Sequence, residues 1–466
     1  MIVTYCIRRR LSLLRRETVT VSFLHELLRL PQHYRRTVLS HYSEGTSNDV
    51  ADPASMLLQL CGRHYYIAPG AIHSASLKKG RGCGYGPLGL DLKQNVLEQW
   101  WTSVVRSRAQ VFGISTLHSS MDGAAVKMIQ GDAVRDMHSQ TGLTEEHLAE
   151  RLRQILQHKE FFRTSLLQGA LERYVPSMEL VNRKLPFGLA QTGLCYQPET
   201  ADSDAVGCSS EVTEACLVWF CSPRTSSQWL DYWTRQRLQW WRKFALGPSD
   251  FSVRNVSGED LRQGIPYGVE VLYQFPWGTE VLETLWNLGD TELLNTHQHS
   301  KAQLQCKDGR KVVLPHVIAV TANMDRGVLA YLSNSLQHVQ KMDNKQRLHQ
   351  RKVLKLHPVL APVKVALDMA RGPTSELRQV CEGLLQEFLE VGISAWPGYM
   401  DTIASMERQH AKYDEMGVLF VLTISESTLE TGLLQVRNRD TTIRETMHIS
   451  EIKPFFLKYI SAAGKV

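Results

Sequence analysis

A chain of 466 residues is longer than one hydrophobic core organises, and at roughly 100 to 200 residues per domain it implies two or three folded units. Hydrophobic residues make up 43% and charged residues 21%, ordinary values for a globular protein, and no run of about 18 apolar residues occurs, so no membrane partner is expected. The formal charge of +6 resides in the first 40 residues, where eight Arg meet only Glu17 and Glu26; the remainder sets 45 basic against 45 acidic residues.

Within that basic start, Ile7, Leu11 and Leu14 recur at helical spacing between arginines, giving one apolar and one cationic face. Such a segment reads as a mitochondrial presequence, with a basic nucleic-acid-binding arm as the alternative. The turn formers of residues 45–53 then mark a junction, so residues 1–50 are expected to be leader and linker.

Residues 51–355 read as one larger domain. Its strongest helical stretch is 144–173, with Thr144 as a possible N-cap and Leu148, Leu152 and Ile155 on one apolar stripe. Two helices there could pair across copies, which makes the region about 120–175 the candidate dimerisation insertion. Strand-like runs follow at 215–221, 268–275 and 311–321, separated by Pro and Gly, and imply a large, mainly antiparallel sheet.

A basic stretch closes this domain: Lys341, Lys345, Arg347, Arg351, Lys352 and Lys355 meet a single acid, Asp343. On a helix several would share a side and could follow a phosphate backbone, although such a run can equally be a solvated linker. Residues 356–466 change character. Strands at 362–367, 393–396 and 418–424 alternate with helices at 376–391 and 401–412, with Gly392 as a C-cap, so a compact α/β domain with a mostly parallel sheet is expected. A hairpin then places Leu433 and Leu434 beside Arg437 and Arg439, apolar side chains ringed by Arg in the manner of a protein interface.

The chemistry-bearing signals are few. Nine Cys are scattered without a C-x-x-C pair, and His297-x-His299 lacks a third ligand, so no metal is assigned. The glycines of residues 80–86 lack the Lys-Ser/Thr of a P-loop. No cofactor is expected.

Read onward, however, Tyr85-Gly86-Pro87-Leu88-Gly89, then Leu92-Lys93-Gln94-Asn95 and Trp100-Trp101, resembles the N-terminal signature of glycyl-tRNA synthetases. The stretch from Leu185-Pro186-Phe187-Gly188 to Tyr196-Gln197-Pro198-Glu199 resembles class II motif 2, and Leu314 to Arg326 resembles motif 3; no motif 1 is found. Residues 412–417 and 437–441 resemble the anticodon-binding domain of class IIa synthetases. Four motifs in the right order across residues 60–460 imply an α+β fold: a class II synthetase-like antiparallel sheet core with a helical insertion, followed by an α/β anticodon-binding-like domain.

The likeness breaks at the reacting positions. Where a synthetase carries the motif 2 Arg that steadies the ATP α-phosphate, this chain has Gln197, and removing one such preorganised charge costs about a hundredfold or more in rate. Ala319 replaces an acidic residue and Asn323 a Gly, while Glu199 and Arg326 are retained; Arg326 would lie against adenine, or pair with Glu199 in the old active-site floor. The resemblance therefore implies a protein that binds and does not catalyse. Synthetase-like proteins of this kind serve as accessory subunits of mitochondrial DNA polymerases. On that likeness the expected partners are a catalytic polymerase subunit, primer-template DNA and a second copy of the chain, in the nucleoid of the mitochondrial matrix. The alternative is a tRNA- or ribosome-binding protein derived from a glycyl-tRNA synthetase.

Overall fold

The computed structural model describes residues 52–68, 77, 84–117, 119–120, 126–127, 145–156, 161–197, 210–256, 267–342, 348–370, 374–401 and 405–465. The presequence expected in residues 1–50 lies outside them. Residues 52–466 form one compact unit.

It opens with helix α1 (Pro53–Arg63) and α2 (Pro87–Trp101), each led by a proline at its first turn, where the missing N–H costs nothing. A wide turn over Thr102–Arg106 leads to the edge strand β1 (Val111–Gly113). The following region is less helical than its periodicity implies. Short strands β2 (Ser119–Ser120), β3 (Val126–Lys127) and β4 (Phe161–Phe162) form a three-stranded sheet, and only Glu145–Leu156 (α3) of the expected long helix precedes β4. The chain turns helical again at α4 (Leu167–Glu172) and α5 (Tyr174–Leu180). The expected helical stretch 144–173 is thus interrupted by a strand: Phe161 and Phe162 favour one, and Phe162 packs its ring on Tyr196 at 4.4 Å.

The large sheet uses β5 (Phe187–Gln197), β6 (Ser210–Cys221), β7 (Phe251–Val256), β8 (Tyr267–Phe275), β9 (Gly278–Gly289) and β12 (His316–Asn323) in the order β1-β5-β6-β12-β9-β8-β7. Only the β1–β5 pair is parallel. Helix α6 (Ser226–Lys243) fills the connection after β6; α7 (Thr291–His297) and the hairpin β10 (Cys306–Asp308) and β11 (Lys311–Val313) come before β12, and α8 (Met324–Ser335) follows it.

Side chains alternate between two cores. Leu217, Trp219 and Cys221 of β6 pack with Trp100, Trp233 and Trp241, whereas Cys216, Val218 and Phe220 pack with Tyr174 and Phe187 on the other side. A sheet covered on both faces needs apolar residues at every position of its central strands, which is why 215–221 and 317–320 read as unbroken hydrophobic runs.

A hairpin of β13 (Leu336–Met342) and β14 (Leu348–Leu354) leads into the C-terminal sheet. That sheet contains β15 (Val365–Met369), β16 (Ala395–Trp396), β17 (Phe420–Ile424), β18 (Leu433–Asn438) and β19 (Arg444–His448) in the order β16-β15-β17-β18-β19. Helices α9 (Thr374–Glu390), α10 (Met406–Glu415), α11 (Glu426–Thr431) and α12 (Ile449–Lys465) accompany it. β15 runs parallel to both neighbours, but β18 and β19 are antiparallel, so the sheet is mixed and not mostly parallel. Gly392 after α9 and Gly432 after α11 take the left-handed conformation that ends a helix without strain.

Candidate functional site

The motif 3-like segment lines one wall of a cleft. Between β6, β9 and β12 lies a cavity of about 260 Å³ whose lining includes Thr164, Ser165, Glu214, Trp286, Ala319 and Asn323. It is smaller than the roughly 300 to 1,000 Å³ typical of small-molecule pockets. Ala319 places a buried methyl in its wall, and the Trp286 ring lies so close to Gly268 that a Cβ there would meet it at 2.1 Å. Glu214 is occupied by the Leu166 N–H at 2.8 Å and the Ser165 hydroxyl at 3.1 Å. Deeper, Glu283 accepts from Arg237 at 2.7 Å and from the Trp241 indole at 2.6 Å.

The positions expected to handle ATP have local structural duties. Asn323 caps α8, its side chain accepting the Arg326 N–H at 3.0 Å, a bond worth about 1 kcal/mol to a helix start. Asp325 binds Lys93 at 2.8 Å, the Tyr85 hydroxyl at 2.7 Å and the Thr213 N–H at 2.6 Å. The N-terminal signature is thereby clamped to the motif 3-like segment. Arg326 is buried, forms an ion pair with Glu280 at 2.8 Å and donates to the Leu77 carbonyl at 2.9 Å. The expected partner Glu199 lies outside the described residues. Gln197 is the last residue of β5. Among the described residues no cluster of His, Cys, Asp and Glu could hold a metal ion, and no helix is long and apolar enough to cross a membrane.

The expected interaction residues are redistributed. Leu148, Leu152 and Ile155 all fall on α3, whose His147, Glu150 and Arg153 are exposed. The described parts of 341–355 do not form the helix that the charge spacing suggests. Lys341 is the penultimate residue of β13, Lys345 and Arg347 lie outside the described residues, and Arg351 and Lys352 are neighbours on β14. Successive strand residues face opposite ways, so the adjacent Arg351 and Lys352 do not share a side of β14. Arg351 turns to Asp414, which also receives both terminal nitrogens of Arg437 at 3.0 Å. Lys352 and Lys355 stay half-exposed.

Arg437 and Arg439 are only 5% and 3% exposed, which corrects their assignment to a surface patch. Arg439 donates to the carbonyls of Leu354, Gly417 and Leu356 at 3.0 to 3.1 Å, so it fastens the end of β14 to the C-terminal sheet. Leu434 is buried by strand alternation, and Leu433, at 40% exposure, alone of the four faces solvent.

A second junction joins α1 to α10. Burial pushes the Glu415 carboxyl up, but His64 at 2.6 Å and Arg63 at 3.5 Å outweigh it and hold the group below its usual range. Beside this junction is a cleft of about 720 Å³ whose walls include Tyr65, Leu88, Trp396, Arg408, Lys412 and Met416. Sequence reasoning missed it, since its two walls are more than 300 residues apart; the only local signal is the Lys412-Tyr413-Asp414-Glu415 run.

A class II synthetase-like core joined to an anticodon-binding-like domain defines the class of protein. Comparisons with known proteins agree: a profile of the anticodon binding domain matches residues 359–459. Glycine–tRNA ligase of Thermus thermophilus is 27% identical over 321 residues, covering 63% of this chain and 62% of that protein. Much greater similarity is found to DNA polymerase subunit gamma-2 of Mus musculus, 47% identical over 88% of this chain and 91% of the relative. The mitochondrial DNA polymerase subunit gamma-2 of Xenopus laevis is 46% identical over 93% of both. The chain belongs to the DNA polymerase subunit gamma-2 family.

Proposed function

We propose that this chain works by binding and carries out no reaction of its own. It is an accessory subunit of mitochondrial DNA polymerase gamma. The observation that supports a non-catalytic role is the state of the cleft: Arg326 is committed to Glu280 and the Leu77 backbone, Asn323 is committed to a helix cap, and the space beside Ala319 is small. A group that must meet a nucleotide cannot also be buried in an ion pair without breaking it, at a cost of about 3 to 5 kcal/mol.

On this reading the protein is mitochondrial, in the matrix nucleoid, and its partners are the catalytic subunit of mitochondrial DNA polymerase gamma, primer-template DNA and a second copy of itself. The segment of about 120–175, with Leu148, Leu152 and Ile155 on α3, supplies the homodimer contact. The C-terminal domain, about 356–466, supplies the contact with the catalytic subunit, with Leu433 at its surface. On the same reading the domains are 51–355 and 356–466, preceded by a leader and linker at 1–50.

The deciding experiment adds the purified chain to the catalytic subunit on primed single-stranded DNA. Longer products per binding event, together with absence of glycine-dependent pyrophosphate exchange into ATP, support the reading. Unchanged product length, or exchange above background, refutes it; recovery of ribosomal components in place of the polymerase from mitochondrial extract would return the tRNA- or ribosome-binding alternative.

A further inference from the structure

The β10–β11 hairpin carries a cationic surface that none of the roles above uses. Three stretches distant in sequence build it: Arg183 and Lys184 after α5, Arg224 just ahead of α6, and Lys307, Arg310 and Lys311 on the hairpin. Backbone bonds fix their relation. Lys184 and Lys307 form a β-bridge, the Lys307 N–H donates to the Arg183 carbonyl at 2.6 Å, and the Leu185 N–H donates to the Lys307 carbonyl at 3.1 Å. Asn182 and Arg183 both occupy the left-handed region, at φ 54° and 57°, a turn that delivers the chain to the hairpin.

Two acids reach this surface. Glu179 binds Arg183 at 2.6 Å and Asp308 binds Arg224 at 3.1 Å, with Lys311 near enough to help hold the Asp308 carboxyl below its usual range after Ser222 and Arg224. Lys184, Lys307 and Arg310 form no ion pair among the described residues, and all three are exposed. On the ribbon, Lys307 stands opposite Val312 on one face, Asp308 opposite Lys311 on the other, and Arg310 with Gly309 makes the tip. A single acidic side chain could neutralise only one of these positions. A row of anions could meet them all, and a narrow, rigid ribbon with side chains on both faces follows a phosphate backbone better than it lies on a flat lipid surface.

We propose that the β10–β11 hairpin, with Lys184, is a contact surface for the phosphate backbone of duplex nucleic acid. The inference rests on the DNA-binding part of the proposed function and moves that contact away from residues 341–355. Backbone contact of this kind carries little sequence preference and depends steeply on salt.

The test uses the full-length chain, a fluorescein-labelled DNA duplex of mixed sequence and anisotropy titrations across a range of KCl. Replacing Lys184, Lys307, Arg310 and Lys311 by Ala should flatten the slope of log K against log salt by about three to four units, at about 0.9 per phosphate. The variant Lys184→Arg, Lys307→Arg, Lys311→Arg should keep the original slope with an unchanged melting temperature, and Lys352→Ala with Lys355→Ala should leave it intact. If the unaltered chain binds duplex and the fourfold Ala variant keeps its slope, the hairpin proposal is overturned while the DNA reading survives. The hairpin proposal is equally overturned if the fourfold variant retains duplex binding but loses binding to phosphatidylserine vesicles. Failure of the unaltered chain to bind duplex overturns both.

Discussion

Asp414→Asn should be among the most damaging conservative substitutions in the C-terminal domain. Asp414 is 0% exposed and is held by both terminal nitrogens of Arg437 at 3.0 Å, with Arg351 reaching the same carboxylate from the β13–β14 hairpin. Asparagine keeps the shape and one acceptor oxygen, but it places an N–H₂ where a second acceptor stood and leaves the Arg437 guanidinium buried without a counter-charge. Breaking a buried pair from one side costs about 3 to 5 kcal/mol, and two guanidiniums sharing one acceptor put this case toward the upper end. Urea unfolding followed by tryptophan fluorescence measures the loss by linear extrapolation. The double variant Asp414→Leu, Arg437→Met should recover part of it, because a buried pair replaced by apolar groups of similar volume is often nearly neutral. A cost below about 1 kcal/mol for Asp414→Asn with an unchanged urea slope would refute the claim that this carboxylate holds the junction.

Three further outcomes are expected. Asp368 is fully buried, donor support comes from Tyr413 at 2.7 Å, and burial lifts its carboxyl to about 6. The folded protein thus binds a proton there that the unfolded chain releases near pH 4, so stability falls as pH rises from about 4 to 6 and stays lower above it, by roughly 3 kcal/mol; Asp368→Asn should remove that pH dependence, and an unaltered difference between pH 4 and 7 in the variant would show that another group is responsible. Gly89→Ala would put a Cβ 1.8 Å from the Tyr66 carbonyl oxygen, so α2 must back away from the turn before it at a cost of about 1 to 3 kcal/mol, visible as a lowered melting temperature; an unchanged melt would mean that the helix moves freely. Leu433→Asp should leave the fold intact and weaken capture of the catalytic subunit about tenfold or more in a pull-down titration, and full affinity would take this leucine out of the interface.

How far the sequence was legible depended on where the determining contact lies. The strands 215–221 and 418–424, and helix α9 with Gly392 at its end, follow from period and capping alone, and each lies where it was expected, β6 beginning a few residues earlier. The hairpin β13–β14 failed this test. Its basic residues have helical spacing, but Leu354, Leu356 and Gly417 offer carbonyls that Arg439 draws together, and Asp414 draws in Arg351; these tertiary bonds override a weak local preference. The roles of Arg437 and Arg439 were hidden for the same reason. An arginine beside a leucine looks like a rim residue until its acceptor, more than 20 residues away in sequence, is known. The hairpin at 306–313 was overlooked because two of the six basic residues of its surface, Arg183 and Lys184, are brought to it by one β-bridge.

On the proposed non-catalytic reading, the motif 3-like segment serves as part of a scaffold. An active site keeps charges apart and poised for a ligand, which stores unfavourable free energy in the empty protein. In this chain Asn323 supplies a helix cap, Asp325 gathers Lys93, Tyr85 and the Thr213 amide, and Arg326 closes on Glu280. Asn323, Asp325 and Arg326 each satisfy a partner inside the fold, and the bonds of Asp325 and Arg326 join segments far apart in sequence: α2, β6, β9 and α8. A cleft whose polar groups are mutually satisfied gains stability as it loses readiness to bind a nucleotide, because the same donors cannot serve both. The retention of synthetase-like residues such as Tyr85, Lys93 and Arg326 therefore needs no surviving reaction to explain it. They persist as the bonds that hold the sheet and its covering helices in one unit, and that unit is what presents the binding surfaces.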